Sequence, residues 1–149
     1  MMKVDVSTEL NCSATKAWDE VQKSALLLYV IWPLARITTT GLPDFPERWR
    51  QGLSVRCRAY VFGLIPIGIR ELHFETIDQT GYRIVTRESD PLVKRWNHTF
   101  SVTPSGTDRS IYRDVIDIDA GASTILVWAW ASWFYRHRQR RWRALAKSL

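Results

Sequence analysis

Acidic residues are missing from the last stretch of this chain, residues 136–149, and cysteine, histidine and glycine are scarce throughout: two, three and seven in 149 residues. Cys12 and Cys57 fit no metal-ligand spacing, which argues against a zinc ribbon. Two reduced thiols in a cytoplasmic protein are expected instead. Met1-Met2-Lys3 leads straight into alternating residues, so no secretory leader is expected. The histidines His73, His98 and His137 are far apart and show no His-x-His pattern, so neither zinc nor iron is expected. No Gly-x-Gly-x-x-Gly or phosphate loop occurs, and a nucleotide cofactor is not indicated. A Gly-x-Ser-x-Gly nucleophile elbow is also missing. The longest apolar run, Ile125 to Tyr135, falls short of the roughly 20 residues that cross a bilayer.

What is present points to one ordinary domain over residues 1–149, with no repeats and no low-complexity segment. Hydrophobic residues make up 46% and charged residues 24%, proportions that allow a real core. Eight tryptophans are far above average, and each indole needs apolar surroundings and a partner for its N–H. The formal charge of +6 is concentrated: Arg136, Arg138, Arg140, Arg141, Arg143 and Lys147 form the basic end, while the remaining 15 basic residues match the 15 acidic ones. A uniformly basic body would suggest nucleic acid; a basic terminus does so much less, and no nucleic-acid partner is expected.

Alternation from Lys3 to Asn11 predicts a first strand. Ser13 is a candidate N-cap for a helix that turns Trp18 and Val21 inward. The apolar stretch Lys23 to Ala35, interrupted by Pro33, predicts one or two short helices in this region. Residues 38–52 carry Pro43, Pro46 and two glycines and are read as irregular connection. Strands then follow without helices between them: Leu53 to Phe62, a loop at Gly63 to Gly68, Ile69 to Asp78, Tyr82 to Ser89, Arg95 to Val102 and Ser110 to Asp119. That spacing describes an antiparallel meander. One long helix, about Ala122 to Ser148, closes the chain. Its first half is apolar almost all round and should be enclosed; its second half should turn Trp142 and Leu145 inward and the arginines outward.

This order resembles the helix-grip fold of the START-like, or SRPBCC, superfamily, which includes the birch-pollen allergen, lipid-transfer START domains and aromatic polyketide cyclases. The similarity is carried by Phe62-Gly63-Leu64-Ile65-Pro66, by Trp96-Asn97-His98, and by Tyr112-Arg113-Asp114 leading through Asp119-Ala120-Gly121 into Phe134 to Trp142. It implies an α+β fold in which a curved antiparallel sheet of six to seven strands wraps around the C-terminal helix. It also implies a deep apolar cavity for a hydrophobic small molecule. It supplies no catalytic signature, because members share the vessel and differ in chemistry.

Alternation assigns the inward faces: Trp96, His98, Phe100 and Val102; Tyr112, Asp114, Ile116 and Ile118; Tyr82, Ile84, Thr86 and Glu88. A tight turn at Pro91-Leu92 sets Glu88 opposite Trp96 and Thr86 opposite His98. A turn centred on Gly106 sets His98 opposite Asp114. Glu88, His98 and Asp114 should therefore cluster on the concave side, either as a general acid–base group or as a polar cluster that locks register and binds a ligand oxygen. Arg70 is a candidate for an anionic head group at the pocket mouth, or a surface arginine. Trp128 and Tyr135, on a stripe shared with Trp142, are candidate ligand walls.

These features support a carrier or sensor of a hydrophobic molecule, functioning as a monomer or homodimer. The alternatives are a cyclase- or dehydratase-type enzyme using His98, and a module whose basic end contacts an anionic membrane or a protein. For that end, a solvated helix terminus whose cations complement the macrodipole is the simpler account.

Overall fold

The computed structural model describes residues 2–149; Met1 lies outside the described residues. The elements are β1 (Met2–Leu10), α1 (Ala14–Val21), α2 (Ser24–Ile31), β2 (Ala35–Thr39), β3 (Ser54–Val61), β4 (Ile65–Asp78), β5 (Arg83–Ser89), β6 (Arg95–Pro104), β7 (Ser110–Asp119) and α3 (Thr124–Ala146). All seven strands form one antiparallel sheet in the order β1-β7-β6-β5-β4-β3-β2. The sheet wraps the long helix α3, with two short helices after the first strand: the α+β helix-grip architecture.

Each element follows from local chemistry. The Ser13 side chain accepts from the Lys16 amide and starts α1. On β6 and β7 burial alternates residue by residue, leaving Trp96, His98, Phe100 and Val102 inside along with Tyr112, Asp114, Ile116 and Ile118. Register breaks at Ala59/Tyr60 and at Phe74/Thr76 bend the long strands and help curl the sheet. Helix α3 is bound to β1 by three side chains: Trp128 Nε1 donates to the Lys3 carbonyl (2.9 Å), Gln139 Nε2 to the Val6 carbonyl (2.8 Å) and Arg143 Nη1 to Thr8 Oγ1 (2.8 Å). Two more residues bind it to α2, where Arg141 Nε donates to the Tyr29 carbonyl (2.7 Å) and His137 Nε2 to the Trp32 carbonyl (2.9 Å). The helix is thus fixed at its flanks, and its inward face stands over β5 and β6 across a gap.

Four expectations need correction. Ala35, expected at the end of the helical stretch, and Thr38 and Thr39, expected in the irregular connection, belong to β2, an edge strand on β3 whose half-buried residues give little alternation to read. The segment Gly63 to Gly68 is no loop: β4 begins at Ile65, and the turn is confined to Phe62, Gly63 and Leu64. Gly63 has φ +72, and a Cβ there would meet the Trp32 ring at 2.9 Å, so this hairpin tip needs glycine to seat against the residue ending α2. Tyr82 is not the first inward residue of β5 but sits in the turn before it at φ 53. Finally, the first half of α3 is not enclosed: Ile125 and Leu126 are 68% and 75% exposed.

Candidate functional site

Between the sheet and α3 lies a cavity of about 530 Å³. That size falls within the range of small-molecule sites, roughly 300–1,000 Å³. Its walls are mainly apolar, with Leu26, Val30, Ala59, Phe74, Val127 and Phe134 among them. Leu92 and Leu126, 57% and 75% exposed, are also wall residues and bring the cavity to the surface. The polar wall comes from Arg70, Thr86, Glu88, Asp90, His98, Tyr112, Tyr135 and Arg138.

His98 stands at the centre of that wall. Its Nε2 donates to Oδ1 of Asp114 (2.7 Å), and its Nδ1 lies 3.8 Å from Oε2 of Glu88. Glu88 faces Trp96 and Thr86 faces His98, as the short turn at Pro91-Leu92 requires. The expected pairing of His98 with Asp114 is wrong by two residues: His98 faces Ile116, and Asp114 faces Phe100. The shift is an even number, so both side chains stay on the concave face, and imidazole and carboxylate meet diagonally.

Asp114 is fully buried, and burial alone would push its carboxyl up. Its hydrogen bond and charge interaction with His98 outweigh that and hold it below the usual range. Tyr112 Oη (2.9 Å) and Gln139 Nε2 (3.0 Å) also donate to it, so both oxygens are taken. For His98, burial lowers the imidazole's affinity for a proton, but the bonds to Asp114 and Glu88 prevail and raise it. Burial would likewise raise Glu88, yet the Arg70 guanidinium holds its carboxyl down to about 2. Arg70 donates to Glu88 from Nε (3.2 Å) and Nη2 (3.1 Å), pairs with Asp90 through Nη1, and lies over the Trp96 ring at 4.7 Å. It lines the cavity, but two carboxylates and an indole already occupy its guanidinium.

The structure brings together Arg70, Thr86, Glu88, Trp96, His98, Phe100, Tyr112 and Tyr135 around the cavity, with Asp114 directly behind His98 and Tyr112. It separates two of the expected ligand contacts from them. The Tyr82 ring stacks on Trp18 at 5.1 Å, beside the Trp18–Gln79 hydrogen bond, and is outside the cavity wall. Trp128 reaches outward to the β1 edge. His73 bonds Ser54 Oγ through Nδ1 (2.7 Å) at the surface. No group of three or more His, Cys, Asp or Glu is placed to hold a metal ion among the described residues, and no described helix is long and apolar enough to cross a membrane.

Sequence reasoning missed Arg138 and Gln139. Arg138, expected outward with the basic end, turns into the cavity, its guanidinium 4.8 Å from the Tyr135 ring centroid and 5.8 Å from that of Phe134. The available signal was positional: Ala131, Tyr135 and Trp142 are buried on one helical stripe, and residue 138 occupies that stripe. Arg138 is turned inside, and Arg141 and Arg143 bond to Tyr29 and Thr8, while Arg136, Arg140, Arg143 and Lys147 stay exposed along the outer side of the helix.

Solved structures share this fold. A START superfamily protein from Mycobacterium smegmatis superimposes with a TM-score of 0.68 at 13% identity, covering 98% of this chain and 97% of that one. The Zhui aromatase/cyclase from a Streptomyces species superimposes with a TM-score of 0.74 at 13% identity, covering 98% and 93%. At such identity the likeness is one of fold, and the fold is START-like. The chain belongs to the family described as Domain of unknown function (DUF8410), whose profile matches residues 8–146. A search of curated proteins finds no match to the sequence.

Proposed function

We propose that this protein binds one hydrophobic small molecule, a lipid, polyketide or other aromatic compound, in the cavity between the sheet and α3. The observation that carries this reading is a cavity of about 530 Å³ with apolar walls and a cluster of polar groups on β5, β6 and the facing turns of α3. Such a site needs shape, desolvation and one polar anchor, and His98 with Glu88 and Asp114 provides the anchor. A cytoplasmic setting, where Cys12 and Cys57 remain free thiols, belongs to the same proposal. Native mass spectrometry of freshly purified protein tests it. One non-covalent adduct per chain, released on unfolding, is the expected result. A bare chain that takes up nothing from a hydrophobic extract contradicts the proposal.

One observation favours an enzyme of the cyclase or dehydratase kind as a second reading. Asp114 holds Nε2 of His98, while Nδ1 stands 3.8 Å from Glu88 at the cavity wall, placed for proton transfer to or from a bound carbonyl compound. His98→Ala discriminates the two readings. A carrier loses affinity and has no turnover to lose; an enzyme loses turnover and largely keeps binding.

A further inference from the structure

The polar groups of the cavity fall into two classes. The carboxylates are occupied: Glu88 accepts from Arg70 and Thr86, and Asp114 accepts from His98, Tyr112 and Gln139. Three other groups, all donors and all on one stripe of α3, hold no acceptor among the described residues. Arg138 donates no hydrogen bond and forms no ion pair among the described residues, only ring contacts with Phe134 and Tyr135. The Trp142 indole N–H, on a side chain 2% exposed, has no partner among the described residues. The Tyr135 hydroxyl accepts from Trp96 Nε1 (3.1 Å), and its own proton has no acceptor among the described residues. Residues 135, 138 and 142 are three to seven positions apart, so their side chains share a face, and all three line the cavity.

Holding a partly buried guanidinium over aromatic rings without a counter-ion in contact is costly, and leaving an indole N–H unpaired adds to the cost. A ligand oxygen that accepts from these groups removes both. From this geometry we infer that the ligand is a hydrophobic monocarboxylic acid, its carboxylate held by Arg138 with Trp142 Nε1 and Tyr135 Oη, and its apolar body against the aliphatic and aromatic walls. This deepens the proposed small-molecule binding and rests on it. A planar fork of N–H donors matches a carboxylate. Arg138 is the cationic group of this wall that touches no carboxylate among the described residues, because Arg70 pairs with Glu88 and Asp90 and His98 with Asp114, so its fork is open to a single carboxylate.

The test is calorimetric titration with decanoate and with decanol, equal in chain length, alongside fluorescence titration with the neutral dye Nile red. Wild type should bind decanoate about tenfold or more tighter than decanol. Arg138→Met should abolish that preference by weakening decanoate much more than decanol. Arg138→Lys, which keeps the charge and loses the fork, should retain part of the preference. Trp142→Phe should weaken decanoate a few-fold, by roughly the worth of one hydrogen bond. Thermal melts establish that each variant is folded. Equal binding of acid and alcohol by wild type, or an unchanged preference in Arg138→Met, overturns the carboxylate assignment while leaving the cavity reading intact. Failure of acid, alcohol and Nile red alike overturns both.

Discussion

The imidazole Nε2 of His98 and Oδ1 of Asp114 lie 2.7 Å apart, although the two residues are not opposite one another in the sheet. The bond is a diagonal across β6 and β7, and it ties the concave face together beneath the cavity. Removing one member of such a buried pair leaves the other charge uncompensated, at a cost of about 3–5 kcal/mol. Asp114→Ala should lose stability of that order by urea unfolding. Asp114→Asn, which still accepts from Tyr112, should lose less.

The same cluster sets a pH window. His98 has a raised proton affinity in the fold because its bonds to Asp114 and Glu88 outweigh burial, so its contribution is complete below 6.5 and is lost as pH rises through the folded value. Glu88 is held at about 2 against 4.5 when free, so its contribution is complete above 4.5 and is lost as pH falls toward 2. The cluster therefore stabilises most between 4.5 and 6.5. In urea unfolding the stability gap between wild type and His98→Gln should narrow as pH climbs above 6.5 and through the folded value. A gap that widens over that range would show that the neutral imidazole is the stabilised form.

Arg70 pairs with Glu88 and Asp90, and its removal should show on the titration of Glu88. In Arg70→Met the burial that pushes Glu88 up is no longer opposed by the guanidinium. Its titration, followed by carboxyl carbon NMR, should move from about 2 to above 4.5. A Glu88 that still titrates near 2 would assign the restraint to His98 and Thr86 instead.

Both thiols are closed off. Burial raises the Cys57 thiol to about 11 and also raises Cys12, and the side chains are 0% and 3% exposed. A disulfide-type thiol reagent at neutral pH should label neither in the folded protein and both in urea. Rapid labelling without denaturant would mean that the sheet opens near β3.

The inward faces of β5, β6 and β7 were legible because alternation with period two is strong where one face is apolar and the other is charged. The diagonal His98–Asp114 contact was legible only in part. The residues at 103–109 do not reveal their loop length, so the face could be assigned and the register could not. β2 was illegible because Ala35 to Thr39 forms a half-buried edge. The start of β4 was hidden by Pro66 and Gly68, which read as turn residues but sit at a bulged edge. Arg138 was misread because charge was weighed above helical position; aromatic rings on the same stripe carry its guanidinium inward.

The central claim is a hollow that holds a guest, and the most direct measurement is a Nile red titration of wild type and Ala59→Phe. Ala59 is 6% exposed and lines the cavity, so a phenyl ring there occupies ligand space. Wild type should bind the dye saturably at one molecule per chain. Ala59→Phe should bind it about tenfold or more weakly, with a melting temperature within about 5 °C of wild type. Equal binding by the two proteins, or no saturable binding by either, would contradict the cavity between sheet and helix as the site.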